Sequence, residues 1–70
     1  MRHWQKMVIQ LPPENEYILV GNKETETFFI AKLERKRTKN GYVRETYLLT
    51  KEGRKVRDFD NLYWMRAKWL

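Results

Sequence analysis

The sequence contains no cysteine, no serine and only one histidine, His3. Without cysteine there is no disulfide and no thiolate nucleophile, and with a single histidine a zinc site built from Cys and His is excluded. A serine nucleophile is excluded as well. The three glycines are scattered, so no glycine-rich phosphate loop is present. We therefore expect a non-enzymatic protein without a cofactor or a metal.

Long hydrophobic runs are also missing. The longest runs, such as residues 17–20 and 28–31, are four residues long, whereas a membrane-spanning helix needs roughly 20 apolar residues. The first residues contain neither a hydrophobic stretch nor the small-residue cleavage site of a secretory signal. We therefore expect a cytoplasmic protein that has no membrane partner.

The chain has the material for one small hydrophobic core. Its length of 70 residues suits a single domain, residues 1–70, and 41% of these residues are hydrophobic. Turn signals at residues 21–22, 40–41 and 52–53 separate segments rich in aromatic and β-branched residues. This pattern predicts a mostly β domain of four to six short strands, either an antiparallel meander or a small open barrel.

The strongest turn signal is Asn40-Gly41. Asn followed by Gly tolerates the positive φ angles of a two-residue type I′ hairpin turn. Such a turn joins residues 27–39 to residues 42–50 in a long basic hairpin and fixes its register. The predicted cross-strand pairs are Lys39 with Tyr42, Lys36 with Glu45, Glu34 with Tyr47 and Leu33 with Leu48.

The predicted register makes the root of the hairpin apolar on both faces and its tip charged. The sequence predicts the bounds of the other segments less closely. Residues 7–9, 17–20 and 54–59 are expected as short strands, and the two prolines, which cannot donate to a ladder, mark a connection. Residues 62–70 fit a strand by alternation, and also a short C-terminal helix, which makes the fold α+β.

One pattern runs along most of the chain: Trp4, Leu11-Pro12, residues 17–20, Phe29-Ile30-Ala31 and Tyr63-Trp64-Met65. It resembles a family of short proteins of unassigned function encoded in bacterial, phage and prophage genomes. Members of that family open with Trp, continue through Leu-Pro into a Val-Leu-Val type strand and end on Trp-Met. The resemblance implies a small β-rich accessory protein from a mobile element, with no catalytic residue assigned.

The positive charge is concentrated in the middle of the chain. Residues 32–57 have a net charge of +7, residues 1–31 have −1, and residues 58–70 are neutral. A dense positive patch attracts polyphosphate because each neutralised phosphate releases counterions. The residues that we expect to bind nucleic acid are Arg35, Lys36, Arg37, Lys39, Tyr42, Arg44, Arg54, Lys55 and Arg57.

Other interpretations of these residues stay open. An exposed two-stranded arm needs charge for solubility and to block edge pairing, whatever it binds. An alternative function is a protein-interaction module, a host-directed modulator that presents Trp69 or a free strand edge to an acidic or β-rich partner. Exposed edges also make a homodimer plausible. Asp58 and Asp60 are expected to form a turn rather than a Mg²⁺ site.

Overall fold

The protein is described here from a computed structural model that covers residues 4–69, apart from the side chain of Trp69. The strands of this part of the chain form one open antiparallel sheet in the order β1-β6-β2-β3-β4-β5, which confirms the predicted mostly β fold. The elements are β1 (Gln5–Lys6), β2 (Tyr17–Asn22), β3 (Thr27–Arg37), β4 (Val43–Thr50), β5 (Lys55–Val56), β6 (Leu62–Arg66) and a 3₁₀ turn (Ala67–Trp69).

The sheet consists of a meander, β2 to β5, and of two further strands, β1 and β6, at one side of it. Strands β2 to β5 are neighbours in sequence order, as predicted, whereas β6 returns to pair with β2 and β1. The C-terminal segment is therefore a strand that ends in a 3₁₀ turn rather than a regular helix. No helix in residues 4–69 is long and apolar enough to cross a membrane.

The strand predicted at residues 7–9 is wrong. These residues form a turn, in which the N–H groups of Ile9 and Gln10 donate to the carbonyl of Lys6 at 3.1 and 3.0 Å. The two residues of β1 precede it. Met7 is 1% exposed, and its N–H donates to the carbonyl of Leu62 at 3.0 Å. Burial of Met7 in the core therefore anchors the turn instead of extending the strand.

The hairpin turn differs from the predicted two-residue type. The N–H of Thr38 donates to the carbonyl of Tyr42 at 2.8 Å, so residues 39–41 form a three-residue loop. Only Gly41 has positive φ there, at 89°. This is the geometry of a type I turn followed by a left-handed glycine. The predicted pair of Lys39 with Tyr42 is therefore wrong.

The rest of the predicted register is nevertheless confirmed. Lys36 pairs with Glu45, and Leu33 pairs with Leu48. The pairing shifts between Lys36 and Arg37, where β4 contains one extra residue. Since the loop is also one residue longer than predicted, the bulge and the loop cancel, and the root of the hairpin keeps the predicted alignment.

The two faces of the sheet are very different. We call the inner face the one that carries the core residues Ile18, Val20, Ala31, Leu33, Leu48, Leu62 and Trp64, all of them buried. Residues 7–16 cross this face: Met7 joins the core, and the Trp64 indole donates to the carbonyl of Gln10 at 2.8 Å. The intervening residues form the outer face, where Phe28 and Tyr17 are 60% and 43% exposed.

Candidate nucleic-acid interface

Two of the predicted phosphate-binding arginines lie together on the inner face, where they share one carboxylate. Arg37 donates two hydrogen bonds to Glu14, at 3.1 and 3.0 Å. Arg35 lies 3.5 Å from the same carboxylate. The hydrogen bond from Arg37, supported by the charge of Arg35, lowers the pKa of Glu14 below its usual value. Glu14 is thus the ion-pair partner of both guanidinium groups, and its single negative charge leaves this cluster with a net positive charge.

The position of Glu14 depends on the segment that crosses the inner face. Glu14 forms an isolated parallel bridge with Leu33, and the N–H of Asn15 donates to the Leu33 carbonyl at 2.9 Å. Asn15 itself has a φ of 63°, a left-handed conformation that Asn tolerates well. The ion pair of Glu14 with Arg37 spans 23 positions of sequence, so counting charge along the hairpin does not reveal it.

A second ion pair involves another predicted residue, Arg57. Its Nε donates to Glu45 at 2.6 Å, and this hydrogen bond lowers the pKa of the Glu45 carboxyl. Arg57 and Lys55 also lie over the ring of Tyr47, at 6.0 and 4.8 Å from its centroid. This packing leaves Tyr47 only 2% exposed. The sequence had suggested Tyr47 as an apolar residue of the hairpin root and, with Tyr42, as a ring that could stack on unpaired bases. Its burial leaves no exposed ring face for that stacking.

The Tyr47 hydroxyl completes a polar row across the sheet. It donates to Glu34 at 2.9 Å, and Glu34 in turn lies 3.5 Å from Lys32. The hydrogen bond to the carboxylate, together with burial, raises the pKa of Tyr47 above its usual value. These contacts hold Lys32 and Glu34 beside each other. They do not include the lysines nearer the tip of the hairpin.

The Lys and Arg side chains without an ion pair matter most for the candidate interface. Among residues 4–69, no carboxylate lies within 4.0 Å of nine Lys and Arg side chains, and six of these nine lie between residues 36 and 55. All six are exposed. We call them the unpaired hairpin cations: Lys36, Lys39, Arg44, Lys51, Arg54 and Lys55.

Aromatic rings occupy the outer face around Gly21. Phe28 and Tyr63 lie on either side of Gly21, and a Cβ built on Gly21 would be 3.0 Å from each ring. Trp4 packs against both, with its centroid 5.9 Å from Phe28 and 5.1 Å from Tyr63. Glycine in the middle of β2 is thus explained by the close approach of two rings to the backbone.

Tyr17 forms a second aromatic position on the outer face. The ammonium groups of Lys32 and Lys51 lie over its ring, 5.4 and 5.3 Å from the centroid. Sequence analysis did not select Tyr17 or Phe28. Their alternation with the buried residues of β2 and β3 was the available signal, because it places them on the face opposite the core.

The remaining predicted residues lie elsewhere. Tyr42 is 73% exposed at the tip of the hairpin, next to the loop. The side chain of Trp69 lies outside the described residues. Asp58 accepts a hydrogen bond from the N–H of Asp60 at 3.1 Å, which is the turn geometry expected for this pair. No group of three metal-binding side chains is found within residues 4–69.

A cleft of about 580 Å³ lies between the β2–β3 turn and the β5–β6 connection. Its lining includes Glu24 and Asp58 as well as Arg54 and Arg57, so both signs of charge are present. The hydroxyls of Thr25 and Thr27 in the same lining hydrogen-bond each other at 2.7 Å. The carboxylates of Glu24 and Asp58 accept hydrogen bonds from Asn61 and from the N–H of Asp60 rather than from either hydroxyl.

No family model, curated protein or solved structure matches the chain. The function is therefore inferred from the charges and rings of the chain itself.

Proposed function

We propose that this protein binds nucleic acid, without catalysis, through the unpaired hairpin cations. The observation that supports this proposal is the distribution of ion pairs. Arg35, Arg37 and Arg57 form ion pairs with Glu14 and Glu45. No carboxylate of the described residues lies within 4.0 Å of the six unpaired hairpin cations, although the charges of Lys36 and Lys55 also act on Glu45. Exposed cations without an ion pair are the groups that gain most from contact with phosphates.

The arrangement also separates this function from simple solubility. Charges that only keep an arm soluble are expected to mix both signs, as Lys32 does with Glu34. Within residues 36–55, however, the acidic residues are Glu45, which is bound to Arg57, and Glu52. The surplus of positive charge therefore stays on one hairpin and on the turn that follows it, where a polyanion can contact several cations at once.

The test is binding of labelled duplex and single-stranded DNA at several salt concentrations. The variant Lys36→Gln/Lys39→Gln/Lys55→Gln should bind more weakly and show a shallower salt dependence, by about 0.9 in slope per lost duplex contact. The matched control is Lys6→Gln/Lys23→Gln/Lys68→Gln. It removes the same charge from exposed lysines that lie outside the hairpin, and it should bind like the parent chain.

Two results contradict the proposal. One is the absence of any binding at low salt, and the other is retention that does not respond to salt. Competition with polyglutamate separates nucleic acid from an acidic protein partner. If polyglutamate displaces DNA as efficiently as unlabelled DNA does, the surface recognises negative charge in general, and the alternative of an acidic protein partner is favoured.

A further inference from the structure

The outer face has exposed rings that a purely electrostatic contact does not use. Phe28 is 60% exposed and Ile30 is 38% exposed on β3, and Tyr17 is 43% exposed on β2. Gly21 pairs with Phe28, and Tyr17 pairs with Lys32, so Tyr17 and Phe28 lie on the same face of two adjacent strands. From four residues of rise along β3, the two positions are about 13 Å apart.

The ring of Phe28 is held in place rather than simply exposed. It rests against the backbone at Gly21, and Trp4 packs beside it at a tilt of 42°. A ring that is already immobilised loses little conformational entropy when another flat group stacks on it. Phe28 therefore presents a prepared apolar surface to solvent.

Charge on the same face indicates the partner. The outer positions of β3, β4 and β5, with the adjoining Lys51 and Arg57, carry five cations and two carboxylates. These are Lys32, Lys36, Lys51, Lys55 and Arg57 against Glu34 and Glu45. A second copy of the chain would bring two such positive faces together, which is unfavourable. An anionic partner with flat apolar groups matches both the charge and the rings.

We propose that the outer face binds single-stranded nucleic acid, with unpaired bases stacked on Phe28 and Tyr17 and the phosphates held by Lys32, Lys51 and Lys55. This inference rests on the function proposed above and specifies its substrate. In a duplex the faces of the bases are stacked on one another, so rings on a sheet have nothing to stack against. Unpaired bases expose their faces, and aromatic side chains on sheets bind them with little dependence on sequence.

The two lysines over Tyr17 fit this arrangement. In the unbound chain their ammonium groups lie over the electron-rich ring, a contact that is weak at an exposed site. When a base stacks on the ring, Lys32 and Lys51 are within reach of the flanking phosphates. Lys51 thus exchanges a weak contact for a stronger one, whereas Lys32 also has the carboxylate of Glu34 at 3.5 Å.

The experiment compares a labelled single strand with a hairpin duplex of the same composition. Phe28→Leu and Tyr17→Leu retain apolar bulk but remove the flat ring. Each should weaken single-strand binding about 5-fold to 100-fold, the range known for loss of one stacked base, while duplex binding is unchanged. The control is Ile9→Ala, which removes apolar surface from a residue that is 76% exposed in the turn after β1; it should leave both affinities unchanged.

A second measurement does not depend on the stability of the variants. A strand containing 5-bromouracil, irradiated in complex with the parent chain, should crosslink to the peptides that contain Tyr17 or Phe28. Crosslinks confined to the hairpin tip would overturn the inference.

Failure of this inference is distinguishable from failure of the proposed function. If the leucine variants bind single strands like the parent chain, while the triple lysine variant does not, the cations bind nucleic acid but the rings do not participate. If nothing binds at low salt, both proposals fail. A dimer in sedimentation that Phe28→Leu abolishes would instead assign the outer face to a second copy of the chain and overturn the inference.

Discussion

The inner and outer faces of the sheet are built from alternate residues of the same strands, yet they differ in ion pairing. The outer face contains the pairs Lys32–Glu34 and Arg57–Glu45, and also lysines that have no carboxylate of the described residues within 4.0 Å. On the inner face, Arg35 and Arg37 both form ion pairs with Glu14. On the outer face, no carboxylate of the described residues lies within 4.0 Å of Lys36 or Lys55, and Lys55 lies over the buried ring of Tyr47. The difference shows that the position of a cation in a basic hairpin determines whether its charge is available to a partner.

The segment that precedes β2 causes this difference. Residues 7–16 cross only the inner face, where Met7 joins the core and Glu14 reaches the arginines. The outer-face residues of β3 point away from this segment, so Glu14 does not reach them. The ion pairs of Arg35 and Arg37 therefore follow from the position of residues 7–16 over the inner face.

The largest expected effect comes from deleting buried side chains on one face only. Leu33→Ala removes a fully buried side chain and should lower the free energy of unfolding by about 2 to 5 kcal/mol, enough to unfold much of so small a domain. Ile30→Ala, at the partly exposed position on the outer face, should cost about 1 kcal/mol or less. Urea titration followed by tryptophan fluorescence measures both. Equal losses would mean that the two faces are equally buried.

A smaller effect is expected at the close contact under the outer rings. Gly21→Val places a branched side chain where Phe28 and Tyr63 lie 3.0 Å from a Cβ, and we expect a loss of about 1 to 3 kcal/mol from overpacking. Valine would normally favour a strand, so stabilisation by this change would contradict the contact. In the double variant with Phe28→Leu, urea titration should show a cost smaller than the sum of the two single changes.

The smallest effect on stability, and the most informative for binding, is expected from Glu14→Gln. Releasing Arg35 and Arg37 should make the salt dependence of duplex binding steeper, by up to about 0.9 for each arginine that contacts a phosphate. The matched control is Glu26→Gln, which makes the same charge change at an exposed residue. If both variants gain equally, net charge rather than release of the arginines accounts for the gain.

The same variant has a defined pH dependence. The pKa of Glu14 is lower in the folded chain than in the unfolded chain, because Arg37 donates to its carboxylate. Its stabilising contribution is therefore present above the unfolded value, near pH 4.3, and is lost as pH falls through the lower folded value. Thermal unfolding of Glu14→Gln should vary less with pH in that acidic range than unfolding of the parent chain does, and a parallel pH profile would contradict this account.

The fold was largely predictable because its signals are local. Turn residues separated the strands of the meander, and the register of Leu33 with Leu48 followed from the hairpin. The type of turn was not predictable, since Asn40-Gly41 serves a three-residue loop as well as a two-residue one, and the compensating bulge leaves no mark in the sequence. The pairing of β6 with β2 was missed as well, because it joins segments far apart in the chain.

The candidate site was less predictable than the fold. The sequence selected Arg35, Arg37 and Arg57 on equal terms with Lys36 and Lys55, although the three arginines form ion pairs with Glu14 and Glu45. Phe28 and Tyr17 were not selected, although their alternation with the core residues places them on the opposite face. That their rings stay exposed on that face depends on the tertiary structure. The resemblance to a phage-encoded family and the cytoplasmic location stay predictions.

The sequence by itself determined the strands, the hairpin and the surplus of positive charge between residues 32 and 57, because alternation, turn residues and charge are local properties of the chain. Only the tertiary structure decided which of those charges remain available and which rings are exposed. Both depend on where residues 7–16 lie, because a segment that crosses one face of a sheet buries residues of that face and brings its own carboxylate to the cations there.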